Sequence, residues 1–259
     1  MSPALCTYPG GKRQLAPRLL PLIPKHVCYV EPFCGAAGLF FSKPPSQVEV
    51  LNDINSELVN AFRCVRHHVS AVIEELMFRI NSRADFKSAL RCAKCDNNAQ
   101  TDVHRAADFL FCRALSFGAE GLSFGVTKSK VGGASSSLSK VRADLLLVAQ
   151  RLNGVNIENR SFEACIETYD SPDTFFFCDP PYIGCQSKSY KNFTLAEFAA
   201  LVDLLRGRRG QWMLTINDLP EVRKVIRGLR VRRMERGRAI KSATRYAELC
   251  VTSVKSESK

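Results

Sequence analysis

Apolar residues along this 259-residue chain follow two alternating patterns. Short runs rich in β-branched and aromatic residues mark seven strands. They are CYVEPF (28–33), VEVLND (48–53), VNIENRSF (155–162), TFFFCD (174–179), QWMLTIN (211–217), LRVRRM (229–234) and AELCVTS (247–253). Between most of them lie stretches with apolar residues at helical spacing. One begins at Thr194, where T-L-A-E forms a capping box with Glu197. Leu195, Phe198, Leu201, Val202 and Leu205 then recur on one helical face. Another starts near Asn55 and runs through Leu58, Val59 and Phe62. Strands alternating with helices predict an α/β fold built on a mostly parallel, doubly wound sheet.

The alternation breaks between about residues 64 and 150. Helical patterns there cover 69–80, 102–116 and 138–152, and the Gly- and Ser-rich FGAEGLSFGVTKSKVGGASSS joins the last two as a long loop or a hairpin. The expected organisation is one domain made of residues 1–63 and 151–259, with 64–150 as a helical insertion. At 46% apolar content the chain has material for a sizeable core. No apolar stretch approaches the roughly 18 residues that span a bilayer. The start, MSPALCTYPGGK, lacks the layout of a secretory signal. Eleven cysteines, an odd number set mostly in apolar segments, are expected to be free thiols in a reducing compartment, the cytoplasm. Cys92 and Cys95 form one C-x-x-C, and with only His104 and Cys112 nearby a helix turn is favoured over a zinc site, so no metal is expected. Formal net charge is +12, and residues 206–259 hold 15 Lys/Arg against 5 Asp/Glu. Such a surplus suits a polyanionic partner or a solubilising surface.

Three stretches at predicted strand ends carry candidate chemistry, and ligands of open α/β sheets bind beyond the carboxyl ends of strands. EPFCGAAG (31–38) follows a strand, and Gly35 and Gly38 permit a tight turn and close backbone approach, though the G-x-G-x-x-G fingerprint is not met. Asp53 ends the next strand, 18 residues after Gly35, where an acid either caps a helix or accepts both hydroxyls of a ribose; the glycine turn favours the ribose. DPPY (179–182) ends a strand that reads as buried on both faces. An aromatic amine is a poor nucleophile because its lone pair is delocalised into the ring. Asp179 and the Pro180 carbonyl can each accept one amino hydrogen and draw the nitrogen toward a tetrahedral shape, with the prolines fixing the acceptors in place. Tyr182 offers a flat face for stacking on a base.

With YPGGK (8–12), NDINSEL (52–58), RLNGVNIENRSF (151–162) and LTINDLPEV (214–222), these motifs make the chain resemble the Dam-type, alpha-group DNA adenine methyltransferases, a family that includes many bacteriophage enzymes. The order is theirs, with the cofactor motifs before the insertion and DPPY after it. The resemblance implies a Rossmann-like class I methyltransferase with a seven-stranded, mostly parallel sheet, and a helical target-recognition insertion. It implies S-adenosylmethionine as methyl donor and direct displacement on a flipped-out adenine of duplex DNA, with no metal. By motif, Tyr8, Lys12, Glu31, Phe33, Gly35, Asp53, Phe162 and Asp179 would line the cofactor pocket, Phe162 beside its adenine. Asp179, Pro180 and Tyr182 would be catalytic. A monomer is expected, with a dimer on DNA as the alternative. The competing readings are an RNA adenine or a DNA cytosine amino-methyltransferase, and a catalytically silent DNA-binding protein.

GATC-specific members of that family carry Arg- and Asn-like readers in the insertion, whereas residues 118–137 here offer Gly, Ser, Thr127, Lys128 and Lys130. Lysines more often hold phosphates than base edges. Arg113, Lys128 and Lys130 are the candidate DNA contacts, while Arg232, Arg233 and Arg236 suit a solvated strand face or phosphates. The expected target is a short site other than GATC, or relaxed specificity. Mapping methylated positions on a plasmid carried with this protein checks it; methylation confined to GATC would overturn the expectation.

Overall fold

The computed structural model describes residues 3–6, 8, 10–92, 100–116, 121–125, 133–184, 193–235 and 247–253, without the side chains of 92 and 133–137. In chain order the elements are α1 (Ala16–Leu19), β1 (Cys28–Glu31), β2 (Val48–Asn52), α2 (Ser56–Met77), α3 (Arg83–Cys92), α4 (Asp102–Leu115), α5 (Gly133–Arg151) and β3 (Asn156–Glu158). They continue with α6 (Phe162–Tyr169), β4 (Thr174–Cys178), α7 (Leu195–Arg206), β5 (Gln211–Asn217), α8 (Pro220–Val225), β6 (Arg230–Glu235) and β7 (Ala247–Thr252).

The seven strands form one sheet in the order β3-β2-β1-β4-β5-β7-β6. Pairing is parallel from β3 to β5, and β7 runs antiparallel to both β5 and β6. The strand order therefore reverses between β1 and β4, which opens a crevice beyond their carboxyl ends. All five residues of β4 are buried. Phe175 and Phe177 join the core on one face, and Phe176 and Cys178 join the core on the other. The TFFFC run is continuous because the central strand has no solvated side.

Local signals place most helix starts. The Thr194 hydroxyl accepts from the Glu197 amide at 3.1 Å, and Glu197 accepts the Thr194 amide in return at 2.7 Å, completing the capping box of α7. Asn55 caps α2, its side chain accepting from the Glu57 and Leu58 amides. Two expectations need correction. The 155–162 run is not one strand: only Asn156–Glu158 pairs with the sheet, and Ser161 caps α6, which begins at Phe162. The capping oxygen accepts from the Ala164 amide and competes successfully with strand extension. The helical pattern at 69–80 belongs instead to α2, which starts at Ser56, bends at His68 and ends at Met77. A further helix, α3, follows at Arg83, capped by Ser82, whose hydroxyl accepts from the Asp85 amide at 3.0 Å.

Buried side chains of α2, α4 and α5 (Phe62, Phe111, Leu145) share one core with Tyr29 and Phe175 of the sheet. The described cysteines are free thiols. Cys95, the second half of the C-x-x-C, lies outside the described residues. Phe176 is wholly buried at the centre of the sheet. Phe176→Ala is expected to lower unfolding free energy by about 3–5 kcal/mol, as large-to-small core changes do. Equilibrium urea unfolding measures it, and a loss below about 1 kcal/mol would contradict this packing.

Candidate active site

Lys12 is the hub of the crevice. It belongs to a short 3-10 turn near the chain start, yet its ammonium is almost entirely buried. Nζ lies 2.6 Å from Asp179 Oδ1 and 2.9 Å from Glu248 Oε1, and it donates to the Gly10 carbonyl at 3.1 Å and the Tyr182 hydroxyl at 3.3 Å. It also lies over the Tyr182 ring, 5.2 Å from the centroid. Thr215 on β5 donates to the same Asp179 oxygen at 2.8 Å. Tyr182 donates its hydroxyl to Glu248 Oε1. Asn217, at the end of β5, receives the Ile183 amide at 3.1 Å and donates to the Ile183 carbonyl at 2.9 Å. That two-point clamp fixes the backbone directly after DPPY.

The electrostatics follow from burial. Burial pushes the Asp179 carboxyl above its ordinary value; the Lys12 ammonium opposes this and the Glu248 charge adds to it. Burial also raises Asp53, against the Asn55 and Gly35 amides that favour its charged form.

Beyond β1, Gly35 adopts φ 49°, and a Cβ there would stand 3.2 Å from two atoms of the Tyr8 ring. A Cβ on Gly38 would stand 3.1 Å from the Arg13 nitrogen and 3.3 Å from that of Lys12. The close approach these glycines permit is therefore filled by the N-terminal segment itself. The Gly35 amide donates to Asp53 Oδ2 at 3.0 Å, and the Asn55 amide donates to Oδ1 at 2.9 Å. Asp53 thus braces the glycine turn, and the capping of α2 belongs to Asn55. Asn52 ties the strand ends together: it donates to the Pro32 and Arg160 carbonyls and accepts the Arg160 amide. Phe33 and Phe162 stack at 5.1 Å, with Phe193 edge-on to Phe33 at 5.9 Å. Three half-buried rings make an apolar wall beside these polar groups.

A carboxylate–ammonium cluster at a reversed-order crevice, with an aromatic wall nearby, suits a nucleoside-bearing ligand. The D12 class N6 adenine-specific DNA methyltransferase family matches residues 8–237. The chain is 31% identical over 205 residues to the Type II methyltransferase M1.LlaDCHI of Lactococcus lactis subsp. cremoris, covering 74% of this chain and 70% of that protein. It is 27% identical to the DNA adenine methylase of Haemophilus influenzae, covering 90% and 86% respectively. A DNA N-6-adenine-methyltransferase of Escherichia phage P1 is 27% identical over 84% of this chain, which spans 30% of that longer protein.

The chain belongs to the D12 class of N6 adenine-specific DNA methyltransferases. Its reaction is methylation of adenine N6 in DNA, which decides against the RNA, cytosine and silent-binder readings.

The methyltransferase brings Lys12, Asp179 and Tyr182 into one set of contacts, and Tyr8, Gly35 and Asp53 into another, at these strand ends. Glu31 is also there, but its Oε1 accepts from the Tyr29 hydroxyl at 2.6 Å and the Phe40 amide at 3.0 Å, inside the core. Arg113 is 5% exposed, its guanidinium over the Tyr8 ring at 4.5 Å and the Phe109 ring at 5.0 Å. It is placed against the Tyr8 side of the site rather than on an open face. Arg233 pairs with Asp218 at 3.4 Å. Lys128, Lys130 and Arg236 lie outside the described residues. Sequence reasoning missed Thr215, Asn217 and Glu248. Thr215 and Asn217 had a signal, being polar residues at the carboxyl end of the QWMLTIN strand after the apolar WML. Glu248 likewise is the one polar residue of an otherwise apolar run, AELCV.

Burial pushes the Glu31 carboxyl up to about 8 from its ordinary 4.5, against the Tyr29 and Phe40 donors. Between those values the folded state holds a proton that the unfolded chain has released, so this group's contribution to stability falls as pH rises from about 5 to about 8. Urea unfolding of wild type and Glu31→Gln across that window checks it. The Gln variant should lose less stability with rising pH; parallel curves would contradict the assignment.

Proposed function

We propose that Asp179 is the acceptor that readies the target adenine, and that Tyr8, Lys12, Gly35, Asp53, Phe33 and Phe162, with Glu31 behind them, form the place for the methyl donor. The observation that carries this is the way Asp179 is held. Lys12 and Thr215 both bind Oδ1, so the carboxylate is fixed in orientation while Oδ2 has no hydrogen-bond partner among the described residues. An oriented, half-used carboxylate is what an exocyclic amino group requires.

The residues present fit S-adenosylmethionine. The phenylalanine wall suits its adenine, Asp53 can accept its ribose hydroxyls, and the surplus of carboxylate over ammonium charge suits a cationic ligand. When bound, it supplies an electrophilic methyl group on a positively charged sulfur. The protein's part is alignment and charge. Asp179 accepts one amino hydrogen, and the Pro180 carbonyl, fixed between Asp179 and the Asn217 clamp on Ile183, accepts the other. As the nitrogen gains its new bond it must lose one hydrogen as a proton, and Asp179, with its raised proton affinity, is the adjacent base.

A duplex hides this amino group, so the base is extruded at a cost of a few kcal/mol. Stacking on Tyr182 and the +12 charge offset that cost. Lys128 and Lys130 are proposed to hold the DNA backbone. Arg113, packed on Tyr8, is proposed to support the methyl-donor side instead.

Asp179→Ala is expected to reduce methyl transfer to duplex DNA by at least about a hundredfold while DNA binding stays within a few-fold. A labelled methyl-transfer assay paired with a gel-shift titration reads both quantities. Transfer at the wild-type rate would overturn the role given to Asp179.

A further inference from the structure

Glu248 is the member of the Lys12 cluster that the reading of Asp179 does not use. It is the second residue of β7, paired across the strands with Asn217 of β5 and Met234 of β6. Because β7 is antiparallel to its neighbours, its first residues lie at the same sheet edge as the last residues of β4 and β5. Glu248 is 2% exposed there, where a carboxylate is costly without a partner. One of its oxygens, Oε1, takes both the Lys12 ammonium and the Tyr182 hydroxyl.

Among the described residues, the ionisable groups facing it include Lys12, Asp179 and Tyr182. Glu31 is coupled to Asp179, and Cys250, two residues along β7, feels both Glu248 and Arg232 of β6. The cross-strand neighbours of Glu248 carry no charge. With both carboxylates ionised, two negative charges share one positive charge. Lys12 and Asp179 alone would be neutral. Methyl transfer puts positive charge on the attacking nitrogen, so a net negative charge built in before binding favours the transition state.

We propose that Glu248 is a positioning residue of methyl transfer: it shares the Lys12 ammonium so that the cluster as a whole keeps a net negative charge beside the reacting nitrogen, and it anchors the Tyr182 hydroxyl so that the ring is held ready for the target base. This rests on the assignment of Asp179 as the acceptor.

Glu248→Gln keeps the shape and an acceptor for Tyr182 while deleting the charge. Steady-state transfer to duplex DNA should show kcat lowered on the order of tenfold to a hundredfold, with KM for DNA within a few-fold of wild type. The acid limb of the kcat–pH profile should move to lower pH, because the neighbouring charge that raises Asp179 has gone. Glu248→Asp should recover part of kcat and return the limb toward its original position. A wild-type kcat and limb in Glu248→Gln would overturn the proposal. So would lost kcat with an unmoved limb, which would mean packing support alone. Asp179→Asn, run alongside, separates the two assignments. If it abolishes transfer while Glu248→Gln behaves as wild type, only Glu248 falls; if it retains full transfer, the acceptor assignment falls and this proposal with it.

Discussion

One buried ammonium holds this site together. Lys12 joins a turn near the chain start to Asp179 beyond β4 and to Glu248 on β7, three parts of the chain far apart in sequence. Burying three charges costs several kcal/mol of lost hydration for each, and mutual attraction repays that only with good geometry and further hydrogen bonds. The further bonds are present: Thr215 to Asp179, Tyr182 to Glu248, and Lys12 to the Gly10 carbonyl. Such a cluster contributes little net stability. It specifies where the N-terminal segment docks and which way the Asp179 carboxylate faces.

The sheet supplies the rigid frame for that cluster. Reversal of strand order between β1 and β4 leaves their carboxyl ends without a covering crossover, and antiparallel β7 delivers Glu248 to the same edge. Prolines after β1 and β4 end strand pairing there, since they have no amide hydrogen to donate. Asn52 and Asn217 then make the backbone bonds that the strands no longer supply. The turns bearing Phe33 and DPPY are thereby held by side chains rooted in β2 and β5.

Much of this was legible along the chain. Seven apolar runs correspond to the seven strands, with QWMLTIN matching β5 residue for residue. Capping chemistry located α7, and apolar periodicity located the start of α2 near Asn55. Where the reading slipped, local competition was responsible. RSF after β3 passes to a helix because Ser161 caps it, its hydroxyl accepting from the Ala164 amide. Helix α3 offers only a narrow apolar face, with Phe86 and Ala89 buried, so periodicity hardly registers it; its Ser82 cap was the available signal. The same limit applies to Arg113. Its helix and its charge suggested an outward role, but its burial against Tyr8 depends on how α4 packs.

The sequence by itself determined the class of fold, the ends of strands at which chemistry would gather, and the motifs that name the reaction. Each rests on neighbours within a few residues, through periodicity, caps and prolines. Only the tertiary structure decided which charges share a site. Glu248 lies 236 residues from Lys12 along the chain, and Thr215 lies 36 from Asp179. Their meeting follows from strand order and direction, which place β5 beside β4 and β7 beside β5, and no local pattern encodes that placement.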